Sequence, residues 1–444
     1  LDAASICGGV RGATGSAGRP ARRVDTVDSP RAIRNPAGRR SAIDTSSSVS
    51  PATAITADAA PPPSPSPLAL PAFRRLLVAQ GCFGVAYSIF LILPKYLATH
   101  LGASTGRIGW IMAGAAVSNV AAAPFVGRIR DNAGARRVMA LGNLALAAGA
   151  IGFVFVQSPG LAAFACRALH GLGWALVFAA AGLLAIAIAP RDRLAEALAL
   201  HGSANLITNA LGPALAEPAL EYLGPAPVFL TAAAMSVLSA VLSLRLPLPK
   251  AAPRSTAPPA GTRTPTFVIA TSLVLGIACW TMFTLHQPLA LSRGISRVAD
   301  FLVAYTTAAV GVRLAMPRLT DRVGHARVAV FSFLFYGLVV AVTPAVGRLP
   351  LWPFGAAFGL AHGVFYPAFL ALSLGTAPEG SRASVMAWFN ATFNGGALVV
   401  IPLGLIAEAR GFATAFVPVG GLVLLTALAL HHTTRVLASG PTRG

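Results

Sequence analysis

A charged turn occurs twice, at matching spacing, between long uncharged stretches. The first copy reads Gly127-Arg-Ile129-Arg-Asp131-Asn-Ala-Gly134-Ala-Arg136-Arg137, and the second reads Pro317-Arg-Leu-Thr-Asp321-Arg322-Val-Gly324-His-Ala-Arg327. The Asp, the Gly and the last Arg keep their spacing, and 190 residues (321 − 131) separate the copies. Apolar spans that repeat as a set, with a stereotyped basic turn at the same place in each set, predict a duplicated membrane protein made of two related helix bundles.

The composition leads to the same solvent. Hydrophobic residues make up 55% of the chain and charged residues 11%, whereas an average soluble domain is about one quarter charged. Mean hydropathy is +0.70. The net charge of +20 comes almost wholly from arginine, since Lys95 and Lys250 are the only lysines. A chain this basic raises nucleic acid as a partner. Here the arginines lie between apolar spans, so anchoring at one membrane face explains them and no nucleic-acid partner is expected. Cys7, Cys82, Cys166 and Cys279 show no CxxC pairing or metal spacing and read as inert thiols, without a metal site.

From Phe73 onward, apolar stretches of bilayer-crossing length alternate with short polar turns. Twelve are expected, at about 75–97, 106–126, 137–157, 161–188, 195–219, 226–246, 266–287, 298–318, 326–345, 351–375, 383–407 and 413–432. The fold class is therefore an all-α membrane protein with two six-helix bundles, 73–246 and 266–432. A proline-rich basic linker, 247–265, joins them, and a tail follows at 433–444. Residues 1–72 are rich in Ala, Arg, Ser and Pro and are expected to be disordered. They open on Leu1, which fits a truncated or over-extended reading frame. Arg74, Arg75, Arg128 to Arg137, Arg191, Arg193, the linker, Arg318 to Arg327, Arg382 and Arg435 fall on one side of the predicted bundle. Lys95, Arg107, Arg293, Arg297, Arg348 and Arg410 fall on the other. This excess predicts cytoplasmic termini and a cytoplasmic linker in a cell membrane.

At these residues the chain resembles the major facilitator superfamily, over residues 73–432. Gly127, Ile129, Asp131, Gly134, Arg136 and Arg137 match that family's signature between helices two and three. The second copy departs by placing Pro317 where Gly is usual. Helix four contains Arg167-Ala-Leu-His170-Gly171-Leu-Gly173, similar to the family's Arg-x-x-Gln-Gly-x-Gly with His170 in place of Gln. Helix ten echoes it with Ala361-His362-Gly363, 192 residues later (362 − 170). Gly212-Pro213 in helix five is a fragment of the pattern of drug/proton antiporters, in which Ala216 and Glu217 replace a glycine pair. The run from His362 to Tyr366 and Pro367 looks like permeases of the bacterial sugar and drug efflux branch. The resemblance implies transport by alternating access. It also implies a gate in which Asp131 meets helix eleven near Arg382 and Asp321 faces helix five near Arg193, and it places helices one, four, seven and ten around the pore.

Several residues carry candidate chemistry. Arg167 lies inside a helix, where a charge is costly and needs a cavity or partners. His170 is one turn away, on the same face. The pair either binds an anion and responds to protons, or forms a structural hydrogen-bond network. His362 and Tyr366 share a face of helix ten, and the pore-lining helices add Tyr87, Trp280 and Thr284 as cavity candidates. Asn205 with Asn209, and Asn390 with Asn394, form i, i+4 polar stripes that serve substrate or helix contacts. Gly171, Gly173, Gly212 and Pro213 read as helix-packing positions. His170, Glu217 and Arg167 are the candidates for proton coupling, with His362 next, and Glu221 reads as solvated.

No enzyme site is expected. The two lysines precede Tyr96 and Ala251, so no phosphate-binding Gly-Lys-Ser/Thr loop exists. No zinc-protease or serine-hydrolase motif is suggested. The expected function is proton-coupled efflux of a small organic molecule by a monomeric antiporter or permease, with an ion gradient in place of ATP or any cofactor. The alternatives are import of a small organic anion, a non-transporting membrane sensor and a lipid-modifying enzyme.

Overall fold

In hydrocarbon, every backbone N–H and C=O needs an internal partner, and long apolar segments satisfy this as helices. The computed structural model describes residues 64–126, 129, 131–247, 264–315, 322–347, 349–377 and 381–439. The expected disordered segment before residue 64, most of the linker and the end of the tail lie outside the described residues. All the described helices belong to one compact unit, Pro62–Gly444.

Six helices make the first half: α1 (Pro71–Thr99), α2 (Thr105–Val126), α3 (Asn132–Phe155), α4 (Leu161–Ile188), α5 (Leu194–Tyr222) and α6 (Pro225–Leu244). The second half holds α7 (Thr266–Ser292), α8 (Ala299–Ala315), α9 (His325–Val342), α10 (Leu351–Gly375), α11 at 382–410 and α12 (Ala413–Ser439). Nine are long and apolar enough to cross a membrane among the described residues. The exceptions are α2, α5 and α8; α8 has only 17 residues, and α5 carries Glu196, Glu217 and Glu221.

Local chemistry sets the ends. Pro71 and Pro225 sit where a helix's first N–H has no partner to lose. Asp131 caps α3 by accepting from the Gly134 N–H at 2.5 Å. The α5–α6 and α11–α12 turns close on Gly224 (φ +82°) and Gly411 (φ +89°), a left-handed conformation that glycine adopts without a Cβ clash.

The duplication is visible in the packing. In the first half α3 packs on α4 and α6, α2 on α4, and α1 on α5 and α6. In the second half α9 packs on α10 and α12, α8 on α10, and α7 on α11 and α12, the same pairings advanced by six helices. The halves meet through α2 against α11 and α5 against α8, two contacts that exchange under the same advance. That is the pattern of a pseudo-two-fold axis. Glycines allow close approach: a Cβ at Gly173 would meet Leu146 at 2.7 Å, and one at Gly109 would meet the Val400 carbonyl oxygen at 2.7 Å.

The first residues of α1 and α7 and the last residues of α6 and α12 lie at one end of the bundle, here called the near face. The turns after α1, α3, α5, α7, α9 and α11 form the far face.

Candidate functional site

Arg167 stands six residues into α4, about 9 Å along the axis from its far-face end. It is 2% exposed. Its Nη1 lies 2.9 Å from His170 Nδ1, one turn on. A guanidinium only donates, so Nδ1 accepts and the ring proton of His170 sits on Nε2. Arg167 Nε and His170 Nε2 have no partner among the described residues. Among those residues, no carboxylate pairs with Arg167. The His170 ring is walled by Phe90 at 3.9 Å and Tyr87 at 5.7 Å, both on α1, and Tyr87 also contacts Trp174 at 5.9 Å. Gly171 lets α4 approach α2, where a Cβ would meet Ala115 and Ser118.

The second half answers with aromatic side chains. His362 is 8% exposed and lies among Tyr366 at 5.6 Å, Tyr305 at 5.9 Å, Tyr336 at 6.0 Å and Phe358 at 6.2 Å. Its Nδ1, the indole nitrogen of Trp280 and the Thr284 hydroxyl have no partner among the described residues. The halves also meet along α1 and α7, where Leu91 packs against the buried core of the second half. Arg313 of α8, which the sequence reading did not single out, donates to the Gly363 carbonyl at 3.2 Å.

The asparagine stripes divide. Asn205 accepts from Gln80 at 2.7 Å within the first half. Asn394 accepts from Asn119 of α2 at 3.3 Å, which joins the halves. Asn390 turns back on its own helix, donating to Met386 at 2.9 Å, and Asn209 is half-buried on α5. Gly212 packs directly against Ser88, so Gly212-Pro213 serves the α1–α5 contact.

At the near face, Asp131 is exposed and spends a carboxylate oxygen on its own helix. Its expected contact with the start of α11 is not formed among the described residues in this conformation. Arg136 reaches the Leu246 carbonyl at 3.3 Å and ties α3 to the end of α6, while Arg137, Arg322 and Arg327 are exposed. Gly324, at φ +94°, turns the chain into α9. Gly127 and Asp321 lie outside the described residues.

The far face is where the sequence reading missed most. Glu217, read as a proton carrier, is 4% exposed and accepts from Lys95 Nζ at 2.8 Å, from the Val298 N–H at 2.8 Å and from the Ala299 N–H at 2.9 Å. Lys95 also reaches Glu221 at 2.6 Å, so Glu221 is ion-paired rather than simply solvated. The available signal was a lone lysine within an apolar run and a glutamate inside a predicted span. Contrary to the expectation of no serine-hydrolase motif, Gly102-Ala-Ser104-Thr-Gly106 spells that pentapeptide. It forms the turn between two helices rather than the strand-to-helix elbow that exposes a nucleophile. Ser104 there accepts from the Arg107 N–H at 3.4 Å.

A duplicated bundle of membrane-length helices, with polar groups gathered where the halves meet, defines a multi-pass membrane transporter. The sequence profile of the Major Facilitator Superfamily matches residues 76–342 and 298–443. Monocarboxylate transporter 11 of Homo sapiens is 31% identical over 430 residues, covering 88% of each chain. The uncharacterized MFS-type transporter YhhS of Escherichia coli (strain K12) is 22% identical over 85% of this chain and 97% of its own. Among solved structures, a peptide transporter POT in complex with sulfate superposes with a TM-score of 0.69 at 15% identity, covering 82% of this chain and 94% of that one. The nucleoside transporter NupG superposes at 0.65 and 16%, covering 82% of this chain and all of that one. The chain belongs to the major facilitator superfamily. It is a secondary transporter of small molecules embedded in lipid, not an enzyme.

Proposed function

We propose that this protein carries a small organic anion, of the monocarboxylate class, across the membrane by alternating access. The observation that carries the reading is Arg167, a buried guanidinium on α4 whose one described side-chain partner is a histidine. A cation held in a low-dielectric core favours an anion that neutralises it. The printed name of the human relative supports the same class. The buried acid Glu217 is committed to the far face, which leaves the interior basic and does not suit a cationic drug.

His170 supplies the coupling. A proton arriving on its Nδ1 replaces the lone pair that holds Arg167 and frees the guanidinium for a carboxylate. Proton and anion then bind together, and the loaded state differs from the empty one by no net charge. A ligand shifts the rocking equilibrium only through such differential binding. Proton-coupled efflux, to which Gly212-Pro213 points, would need proton and substrate to bind in alternation rather than together, and the Gly212–Ser88 contact serves either direction. The arginine excess supports cytoplasmic termini in the cell membrane. The protein acts as a monomer, without ATP, cofactor or nucleic acid.

The test is uptake of labelled pyruvate, lactate and acetate by proteoliposomes, with and without an inwardly directed proton gradient. Accumulation above equilibrium under the gradient is expected. Uptake no faster than in protein-free liposomes for every monocarboxylate overturns the anion reading, and uptake of an organic cation driven by an outwardly directed proton gradient selects efflux chemistry.

A further inference from the structure

We propose that the far face is shut by a duplicated latch in which a glutamate from one half caps the first turn of a helix in the other half. Glu217, near the end of α5, accepts from the Val298 and Ala299 N–H groups where α8 begins. Glu408, near the end of α11, accepts from the Gly106 N–H at 2.8 Å where α2 begins, and it also bonds the Ser104 hydroxyl. The first N–H groups of a helix have no partners of their own and carry partial positive charge, so a carboxylate completes them.

The sequence repeat shows that these two contacts are one device present twice. Gly106 and Val298 are 192 residues apart, as are Ser104 and Ser296, and Gly102 (φ +61°) and Gly294 (φ +75°). The helix pairs are the two that join the halves, α5 with α8 and α11 with α2. Lys95 and its counterpart Gln287, again 192 residues apart, bond each other on the axis between them. The Lys95 N–H donates to Gln287 Oε1 at 3.0 Å, and Gln287 Nε2 donates to the Leu91 carbonyl at 2.6 Å. Lys95 Nζ then reaches the Ser296 carbonyl at 2.7 Å, across to the second half.

The copies are unequal. Counted from the turn glycines Gly224 and Gly411, Glu408 is the counterpart of Glu221. Glu217, one turn deeper, has taken the capping role in the first half, where Lys95 neutralises it out of water. Glu408 is exposed and has no lysine, because the repeat places neutral Gln287 where the first half has Lys95. Both glutamates act as positioning residues: they touch no substrate and set how long the far face stays closed. The latch is independent of what the carrier transports.

The experiment reads conformation without any substrate. Spin labels at Ser158→Cys and Leu349→Cys, in a background where Cys7, Cys82, Cys166 and Cys279 are serine, report the far-face distance by pulsed electron resonance on the full chain in nanodiscs. The intact latch gives a single short distance. Glu217→Gln adds a longer-distance population, raising the open-to-closed ratio about tenfold, and Glu408→Gln raises it about threefold. Glu408→Asp retains the carboxylate and falls between Glu408→Gln and the parent. Since Glu408 is exposed, its variants fold even if Glu217→Gln does not. An unchanged distance distribution in Glu408→Gln, with unchanged helical circular dichroism, overturns the latch. A change of equal size in Glu408→Asp and Glu408→Gln also overturns it, because a generic loss of packing does not distinguish charge.

Discussion

The two halves share their pairing scheme and differ in their interiors. In the second half the buried apolar residues form one continuous cluster from Val268 to Leu430. In the first half they form two, one near the far face around Phe90, Phe153 and Phe229, and one near the near face around Phe73, Phe83 and Leu184. On α4 the seam between them holds Arg167 and His170, and on α5 it holds Asn205 and Asn209. The seam with its buried polar side chains thus lies in one copy, while aromatic rings surround His362 at the equivalent place in the other. His170 and His362 make the point at equivalent positions: the first faces a guanidinium, and the second sits among tyrosines and Phe358.

The largest effect is expected at the charge in the seam. Arg167→Gln should lower transport about a hundredfold, the loss of a buried charge partner for a carboxylate. It should not lower the melting temperature, because a buried charge without a counter-ion costs stability rather than adding it. Transport near the parent rate, or a clear drop in thermal stability, assigns Arg167 to structure and erases the contrast between the halves.

His170→Gln comes next. The amide oxygen of glutamine still accepts from Arg167 but does not titrate. Accumulation driven by one unit of pH gradient should fall about tenfold, while downhill exchange stays within about twofold of the parent. Retained accumulation moves the proton elsewhere.

His362→Gln sharpens the comparison from the other side. With no guanidinium bonded to it, its loss should raise KM about threefold and leave gradient-driven accumulation intact. If the two histidine variants behave alike, the halves share the coupling and the divided core has no functional meaning.

Asp131→Asn should have the smallest effect, a fall in transport of about two- to threefold. Asparagine caps a helix as well as aspartate does, so α3 keeps its start. Only the charge is lost, and the charge matters in the state where the near face closes on α11. An unchanged rate in Asp131→Asn and in the double variant with Asp321→Asn removes the near-face gate.

Much of the fold was legible because its causes are one-dimensional. Apolar length and a repeated turn can be read along the chain, and α4 and α10 begin and end where the hydropathy predicts. The Arg167–His170 pair was legible because one helical turn joins its members. The far face was not, since Lys95 lies 122 residues from Glu217 and Gln287 another 70 on. Two halves folded against each other bring such residues together, and periodicity within either half gives no sign of it. The contact expected between Asp131 and α11 is not formed among the described residues, where the carboxylate accepts from its own helix instead.

The buried guanidinium has an electrical consequence. A fixed positive charge that changes depth as the halves rock moves through the membrane potential, worth about 2.3 kcal/mol per elementary charge per 100 mV. With a proton on His170 and a carboxylate against Arg167, the loaded carrier holds the same net charge as the empty one, so the potential favours one crossing by as much as it opposes the other. One full cycle moves no net charge: the level to which an anion accumulates should follow the pH gradient and be insensitive to a potassium diffusion potential.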